Sequence, residues 1–242
     1  MTLQRTGRRY RDVATGKTID VWFPRPGVAC RRGCLAEKLG LIADDVVEVA
    51  IESLDAPPLS TEDAWLRLHL LSELAVKPNE INLEGLFGLL QDIAWTSAGP
   101  VLPAHVDELR ARVGDEWHHL AVPSIDKFPR MTDDVVPAGV RIADADRVRL
   151  GAYLSPGTTV MHEGFVNFNA GTLGDECIVE AGLYVTAGTK VKLPDGSVVA
   201  ARTLSGRPGL LFRRNSQSGA VEVLETNSVR WGGLNTTLHS ND

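Results

Sequence analysis

Residues 136–189 read VPAGVRIADADRVRLGAYLSPGTTVMHEGFVNFNAGTLGDECIVEAGLYVTAGT. Every sixth position of this stretch belongs to a series that is apolar in eight of its nine members: Val136, Ile142, Val148, Leu154, Val160, Val166, Thr172, Ile178 and Tyr184. The residues four positions further on are mostly small. A hexapeptide period is typical of a parallel β-helix, in which each unit forms one flat side of a three-sided coil. We therefore predict that the series points inward along the axis and that the small residues occupy the corners.

Two other interpretations of the period are weaker. An α-helix would spread residues six positions apart around its whole surface, so it could not bury them together. Ordinary short strands with chance spacing would not keep one register over nine units. The coil in known hexapeptide proteins winds left-handed, against the usual rule for parallel crossovers. The predicted fold class is therefore a left-handed parallel β-helix of hexapeptide repeats, following an α+β N-terminal domain.

The composition excludes several classes of protein. The chain has 242 residues, of which 43% are hydrophobic, and its formal charge is 25 − 31 = −6. This composition argues against intrinsic disorder, and the acidic balance disfavours nucleic-acid partners. No apolar run reaches the roughly 18 residues of a membrane span, and residues 1–17 lack the apolar centre of a secretory signal. Three cysteines cannot all pair, which fits a reducing compartment, so we expect a cytoplasmic protein. The acidic charge and the lack of a long apolar run lead us to expect neither a nucleic-acid nor a membrane partner.

The first 130 residues predict a separate α+β domain. The β-branched stretches 19–23 and 46–51 predict strands. Capping residues and helical periodicity predict helices over 64–74, 83–95 and 105–112. We predict three parts: an N-terminal domain over 1–130, the β-helix over 131–206 and a C-terminal segment over 207–242.

Several long motifs carry a resemblance to a known family. They are FPRM at 128–131, VRIADADRVRLG at 140–151, GTTVMHEGFVNFNAGTLG at 157–174, VEAGLYVTAGT at 179–189 and LFRRNS at 211–216, with AWLRLHLL at 64–71 and INLEGLFG at 81–88. The chain resembles the tetrahydrodipicolinate N-succinyltransferases of the actinobacterial type. The resemblance extends from about residue 22 to residue 239.

The resemblance implies a homotrimer of left-handed β-helices with active sites between neighbouring subunits. The implied reaction transfers succinyl from succinyl-CoA to the amino group of a small amino-dicarboxylate, in lysine and diaminopimelate synthesis. A Mg²⁺ ion on the trimer axis is implied at Asp146 and Glu163, whose oxygen donors suit that cation. The residues implied at the succinyl-CoA site are Glu180, Ala181, Gly188, Arg213, Arg214, Asn215 and Ser216.

The chain departs from the family between Gly174 and Asp175, a point that we call the join. Family members carry further coils here, and we estimate that about three coils of roughly 18 residues are missing. The missing stretch would hold the family's catalytic glutamate, so no catalytic residue is assigned. We expect the six-residue register to survive the join. The remaining candidate carboxylates are Asp144, Asp146, Glu163, Asp175, Glu176 and Glu180.

A basic segment supports a polyanionic ligand. Residues 190–214 hold six Lys and Arg against one Asp, which gives 6 − 1 = +5 within a chain of −6. Guanidinium groups suit the phosphates of coenzyme A. The alternative is an ordinary solvated surface loop. For the whole chain, two alternatives to the implied enzyme stay open: a catalytically silent paralogue that trimerises and binds CoA or a full-length homologue, and an acyltransferase for another amine.

Overall fold

The computed structural model describes residues 3–30, 33–114, 120–172, 174, 177–186 and 188–226. The chain divides into two compact units. The first comprises Met1–His69 and Asn79–Pro129, and the second comprises Leu70–Pro78 and Arg130–Asp242. The three-part division at residues 130 and 206 stays a prediction.

The first unit contains two antiparallel sheets of three strands, in the orders β2-β1-β3 and β5-β4-β6. The strands are β1 (Leu3–Asp12), β2 (Thr18–Trp22), β3 (Ile42–Ile51), β4 (Ile93–Thr96), β5 (Gly99–Val101) and β6 (Ser124–Asp126). The strands predicted over 19–23 and 46–51 are confirmed, and they fall in β2 and β3. Isoleucine and valine suit both strands because branched side chains pack well on a pleated surface.

The helices of the first unit only partly follow the prediction. They are α1 (Leu35–Lys38), α2 (Thr61–Ser72, whose last residues belong to the second unit), α3 (Leu86–Leu89) and α4 (Val106–Val113), the last preceded by a 3₁₀ turn at Pro103–His105. The predictions over 64–74 and 105–112 are confirmed. The helix predicted over 83–95 is wrong: it ends at Leu89, and Ile93–Thr96 pairs with β5 and β6 instead. Ile93 and Ala94 are buried in this sheet, and the pairing of Ala94 and Trp95 on both sides outweighs the local helical periodicity.

Arg67 on α2 is buried and holds the surrounding loops together. Its Nε donates to Asp63 Oδ1 at 2.7 Å. Its Nη1 donates to the carbonyls of Leu54 and Asn82, and its Nη2 donates to the carbonyl of Ser53. A buried charge with a carboxylate partner and several acceptors is well compensated, so this arginine is a structural residue.

The second unit begins with α5 (Met131–Asp134), after which two-residue strands follow one another. They are β7 (Arg141–Ile142), β8 (Tyr153–Leu154), β9 (Thr159–Val160), β10 (Phe165–Val166), β11 (Gly171–Thr172), β12 (Ile178–Val179) and β13 (Tyr184–Val185), with a 3₁₀ turn at Ala145–Arg147. They pair in parallel as three separate rows, β7-β9-β12, β8-β11 and β10-β13. Ile142 lies opposite Val160, and Leu154 lies opposite Thr172, each pair 18 positions apart. A stretch of three hexapeptides therefore brings the chain back beside itself.

The expected register across the join is wrong. Val160 lies opposite Val179 and Val166 lies opposite Val185, each pair 19 positions apart. One additional residue is therefore accommodated between β11 and β12. A Cβ on Gly174 would lie 1.9 Å from the carbonyl oxygen of Arg207, so a glycine is required where the chain passes this point.

The additional residue changes which side chains after β11 point inward. Val148, Leu154, Val160, Val166, Thr172 and Ile178 are buried as predicted, and Ile142 is half-buried. Tyr184 is 51% exposed, so its predicted inward position is wrong, and the next residue, Val185, packs partly against the core that contains Val179 and Val191. The predicted inward position of Val136 is also wrong. Val136 is 71% exposed because it precedes β7, the first strand of the rows.

The last described strands extend the row that contains β12. They are β14 (Lys190–Lys192), β15 (Val198–Ala200), β16 (Leu210–Arg214) and β17 (Val221–Glu225), with a 3₁₀ turn at Ala201–Leu204. β16 pairs in parallel with β12 and antiparallel with β17, which in turn lies beside β14. Val191, Leu210, Phe212 and Val223 form one core with Val179. Within the described ranges, no helix combines the length and apolar character that crossing a bilayer requires.

Candidate functional site

The β16–β17 hairpin carries the predicted Arg-Arg-Asn-Ser motif at its turn. Asn215 and Ala220 close the turn, with the Asn215 N–H donating to the Ala220 carbonyl at 2.8 Å. The side-chain oxygen of Asn215 accepts the backbone N–H groups of Gln217 and Ser218 at 3.0 and 2.9 Å. An asparagine that bonds backbone groups two and three residues on is a common turn-former. Asn215 therefore fixes the turn that presents Arg213 and Arg214.

Glu180 follows β12 and contacts the same motif. Its backbone N–H donates to the carbonyl of Phe212 at 2.9 Å, and its Oε2 accepts the backbone N–H of Arg214 at 3.1 Å. The structure thus brings Glu180 close to Arg213 and Arg214, which lie 33 and 34 positions later in the sequence. Ala181 follows at the exposed turn after Glu180.

Gly188 lies at an exposed turn before β14. A Cβ built on this glycine would meet no atom of the described chain within 4 Å, and its backbone does not have a positive φ. The fold itself therefore does not demand glycine here. Close approach of a ligand to the backbone, for example of the pantetheine arm of CoA at the implied succinyl-CoA site, would demand it.

The charge of this region is lower than the sequence segment indicated. Glu222 and Glu225, both on β17, lie against Arg213 and Arg207. They lower the excess of +5 over residues 190–214 to +3 over residues 190–226. The region stays basic within an acidic chain, and Lys190, Lys192, Arg202 and Arg214 are exposed.

Glu222 is the residue of this site that sequence reasoning missed. Its Oε2 accepts from Arg213 Nη2 at 3.2 Å and Nε at 3.4 Å, and its Oε1 accepts from Asn215 Nδ2 at 2.8 Å. Arg213 and Glu222 are also cross-strand partners in the hairpin. The signal was available, because turn residues at 215–219 between two β-rich stretches predict a hairpin that pairs these positions.

The two predicted magnesium ligands each have a cationic partner. Asp146 Oδ1 lies 3.4 Å from Arg130 Nη1, and Glu163 Oε2 lies 2.5 Å from Arg147 Nη2. The pKa of Arg130 is raised, chiefly by its hydrogen bond to Asp133 and further by the charge of Asp146. Both carboxylates are exposed, so a dication could compete with these arginines for them.

A group of three possible metal ligands lies beside these residues. Donor atoms of Asp144, His162 and Glu163 all lie within 4.8 Å of one another. The group includes Glu163 and omits Asp146. Arg147 also contacts Asp144, at 3.5 Å, so this arginine lies against two of the three. The candidate carboxylates Asp175 and Glu176 lie outside the described residues.

Two cavities do not coincide with the predicted coenzyme residues. A cavity of about 20 Å³ beside the join, lined in part by Thr172, Cys177 and Arg207, is large enough for one water molecule. Cys177 is buried there, as a small core residue should be. An open cleft of about 520 Å³ in the first unit is lined by residues that include Arg5, Arg25 and Glu48 but none of the predicted site residues.

Comparisons with known proteins agree with these observations. The family description "Tetrahydrodipicolinate N-succinyltransferase middle" matches residues 90–130. A 2,3,4,5-tetrahydropyridine-2,6-dicarboxylate N-succinyltransferase of Salinispora tropica is 47% identical, over 79% of this chain and 78% of its own. The protein of that name from Pseudomonas aeruginosa is 46% identical, over 78% of this chain and 72% of its own. The chain belongs to the tetrahydrodipicolinate N-succinyltransferase family.

A solved structure shares the fold. A Campylobacter jejuni chain, described as a candidate 2,3,4,5-tetrahydropyridine-2-carboxylate N-succinyltransferase, superposes with a TM-score of 0.58 at 22% identity. The match covers 93% of this chain and 92% of that one.

The alignment with the Salinispora relative also contains unmatched positions. It runs over 249 residues, more than the 242 of the whole chain. The alignment includes 79% of this chain, which is about 191 residues. The remaining 249 − 191, or about 58, aligned positions have no counterpart in this chain.

Proposed function

We propose that the chain is a succinyl-CoA-dependent N-succinyltransferase acting on an amino-dicarboxylate derived from tetrahydrodipicolinate, in lysine and diaminopimelate synthesis. The observation that carries this proposal is the 47% identity, over 79% of the chain, to a relative of that name. The contact of Glu180 with Arg214 supports it, because it groups residues predicted to bind the coenzyme.

The proposed fold is a left-handed parallel β-helix. Parallel pairing at 18 positions in separate rows of strands is consistent with a three-sided coil. The likeness to the Campylobacter jejuni structure supports the same architecture. The handedness, and a trimer with sites between subunits, belong to the proposal.

The proposed reaction is acyl transfer from a thioester to an amine. The neutral amine nitrogen attacks the thioester carbonyl carbon, the C–N bond forms and the C–S bond breaks, so coenzyme A leaves as a thiolate. The proton lost from the nitrogen passes to a base and then to the thiolate. Glu180 is a carboxylate that lies against the proposed coenzyme residues, so we assign it as the first candidate for that base.

The proposed coenzyme site comprises Glu180, Ala181, Gly188, Arg213, Arg214, Asn215 and Ser216. Arginine forks are suited to phosphate, and the turn built by Asn215 presents two of them. Localised positive charge in an acidic chain also favours a polyanion such as coenzyme A.

The shortening at the join belongs to the proposal as well. About 58 unmatched positions are close to three coils of roughly 18 residues. This number supports a loss of about three coils. We propose that the loss lies at the join and includes the coil with the family's catalytic glutamate, so that another carboxylate serves the reaction.

The magnesium site stays a prediction for the assembled protein. The donors of Asp146 and Glu163 are oxygen atoms, which fit Mg²⁺. An ion bound there would neutralise charge between copies of the chain, and Glu163 would have to leave Arg147 to bind it.

The experiment measures coenzyme binding by calorimetry and thiol release from succinyl-CoA with tetrahydrodipicolinate, with the Salinispora tropica relative assayed in parallel. We expect acceptor-dependent thiol release. Arg213→Ala should weaken CoA binding by about tenfold because it removes a phosphate donor, whereas Arg202→Ala removes the same charge outside the motif and should change it little. CoA binding without thiol release would instead support the silent paralogue, and release with another amine would support altered acceptor specificity.

A further inference from the structure

We propose that Glu222 is a positioning residue for the coenzyme site, which orients Arg213 and Asn215 so that the arginine is aimed at a phosphate of coenzyme A. This inference rests on the proposed function, because it concerns how the proposed site binds its coenzyme. Glu222 lies outside the Arg-Arg-Asn-Ser motif and would act through two of its members.

The contacts join Glu222 to both residues at once. One carboxylate oxygen accepts from Nε and Nη2 of Arg213, and the other accepts from the side-chain amide of Asn215 at 2.8 Å. The side chain of Glu222 is only 14% exposed, whereas that of Arg213 is 39% exposed. A mostly covered carboxylate therefore holds one edge of a guanidinium group that is still open to solvent.

The sheet gives this contact a fixed geometry. Glu222 lies opposite Arg213 on β16 and beside Lys192 on β14. Phe212 and Val223, the neighbouring cross-strand pair, are buried in the core. Because side chains alternate along a strand, Arg213 and Glu222 share the opposite, outer face. Three paired strands thus hold a row of alternating charge, Lys192, Glu222 and Arg213.

The arrangement suits preorganisation of a phosphate donor. The bonds to Glu222 occupy Nε and Nη2 of Arg213, and no contact recorded among the described residues occupies Nη1. A guanidinium fixed before the ligand arrives loses less rotational freedom on binding. Asn215 donates to the same carboxylate, and its side-chain oxygen stabilises the turn that follows Arg213.

A purely electrostatic role of Glu222 predicts the opposite change in CoA affinity when its charge is removed. Glu222 is an anion beside a site proposed for an anionic ligand, so removing its charge should tighten CoA binding if long-range attraction alone mattered. If Glu222 positions Arg213, removing its charge should weaken binding. The direction of the change therefore separates the two roles.

The test measures the dissociation constant of CoA for the full chain by calorimetry at 50 and 200 mM salt. We expect Glu222→Gln to weaken binding by about tenfold, as loss of a supporting hydrogen-bond partner commonly does. Glu222→Asp keeps the charge but shortens the side chain, and it should also weaken binding. Where turnover is measurable, the KM for succinyl-CoA should rise while kcat stays unchanged.

The matched control is Glu225→Gln. Glu225 is on the same strand, is 67% exposed and lies 3.8 Å from Arg207, which is not a proposed coenzyme residue. The control removes the same charge and should leave CoA binding unchanged or slightly tighter. In an Arg213→Ala background, Glu222→Gln should have a much smaller further effect, because only the contact of Glu222 with Asn215 is left.

The outcomes separate this inference from the proposed function. Equal or tighter CoA binding by Glu222→Gln, with binding by the native chain intact, would overturn the inference alone. Absence of CoA binding by the native chain would overturn both. A general loss of folding in Glu222→Gln would appear as a lower melting temperature. In that case the CoA affinity of Glu222→Asp tests the inference, and an affinity equal to that of the native chain would overturn it.

Discussion

Val179 lies opposite Val160 in the parallel pairing of β12 with β9, 19 positions further along the chain. On the other side of β9, Ile142 lies opposite Val160, and these two residues are 18 positions apart in the sequence. The additional residue lies between β11 and β12, and after it the residues opposite Val160 and Val166 are one position later than the sequence period predicts. The row β7-β9-β12 therefore continues past this segment with its register moved by one residue.

The shifted register predicts which valines stabilise the second unit. Val179 is buried, so Val179→Ala should lower the free energy of unfolding by about 2 kcal/mol through lost burial and an unfilled cavity. Val136→Ala makes the same chemical change at an exposed member of the hexapeptide series and should cost less than about 0.5 kcal/mol. Urea unfolding measures both, and equal costs would contradict the buried position of Val179.

Arg67 should be among the most sensitive positions of the first unit. Arg67→Ala leaves the Asp63 carboxylate and three backbone carbonyls without this partner, and it should destabilise the protein by about 3–5 kcal/mol. Arg110→Ala removes an exposed pair with Asp107 and should cost less than about 1 kcal/mol. Chemical unfolding monitored by tryptophan fluorescence compares them, and a small effect at Arg67 would show that its network is not structural.

Acid should weaken the first unit through Asp45. The hydrogen bond from Arg9 holds the pKa of Asp45 below its usual value. A carboxyl group whose pKa is lowered on folding contributes stability above its unfolded pKa of about 3.9, and this contribution is lost as pH falls through the lower folded value. Asp45→Asn should therefore reduce the loss of stability below about pH 4.

Thermal melts from pH 7 to pH 2.5 measure this effect. The control is Asp107→Asn, on an exposed pair of the same unit, which should leave the acid dependence almost unchanged. Identical acid profiles for native protein and Asp45→Asn would contradict the role given to the Arg9 contact.

Two glycines should respond differently to the same substitution. Gly171→Ala places a Cβ 1.8 Å from the carbonyl oxygen of Tyr153, at a φ of +154°, so it should lower the melting temperature strongly. A Cβ at Gly188 meets no atom of residues 3–186 or 189–226 that the structure describes, so Gly188→Ala should leave the melting temperature unchanged. If the pantetheine arm passes Gly188, the same variant should bind CoA about tenfold more weakly. Unchanged CoA affinity would remove Gly188 from the proposed site.

Local patterns in the sequence predicted much of the fold. The hexapeptide period identified residues that pair in parallel at 18 positions, because inward branched side chains are needed once in each flat side. Helix α2 follows from its capping residues and leucine periodicity. The helix predicted over 83–95 failed because Ala94 and Trp95 gain more from pairing on both sides than from a further helical turn.

Other features depend on contacts that sequence spacing does not reveal. Sequence spacing does not show that an additional residue lies between β11 and β12, or that Gly174 there approaches the carbonyl of Arg207, more than 30 positions away. The grouping of Glu180 with Arg214 follows from the parallel pairing of β12 with β16. Glu222, by contrast, could have been found from the sequence, because the turn residues at 215–219 predict the hairpin that pairs it with Arg213.

The most direct measurement is mass spectrometry of the products formed by the purified native chain from succinyl-CoA and tetrahydrodipicolinate. The account predicts free coenzyme A together with an amino-dicarboxylate that carries one succinyl group on nitrogen. Intact succinyl-CoA after prolonged incubation, under conditions in which the Salinispora tropica relative forms that product, would contradict it.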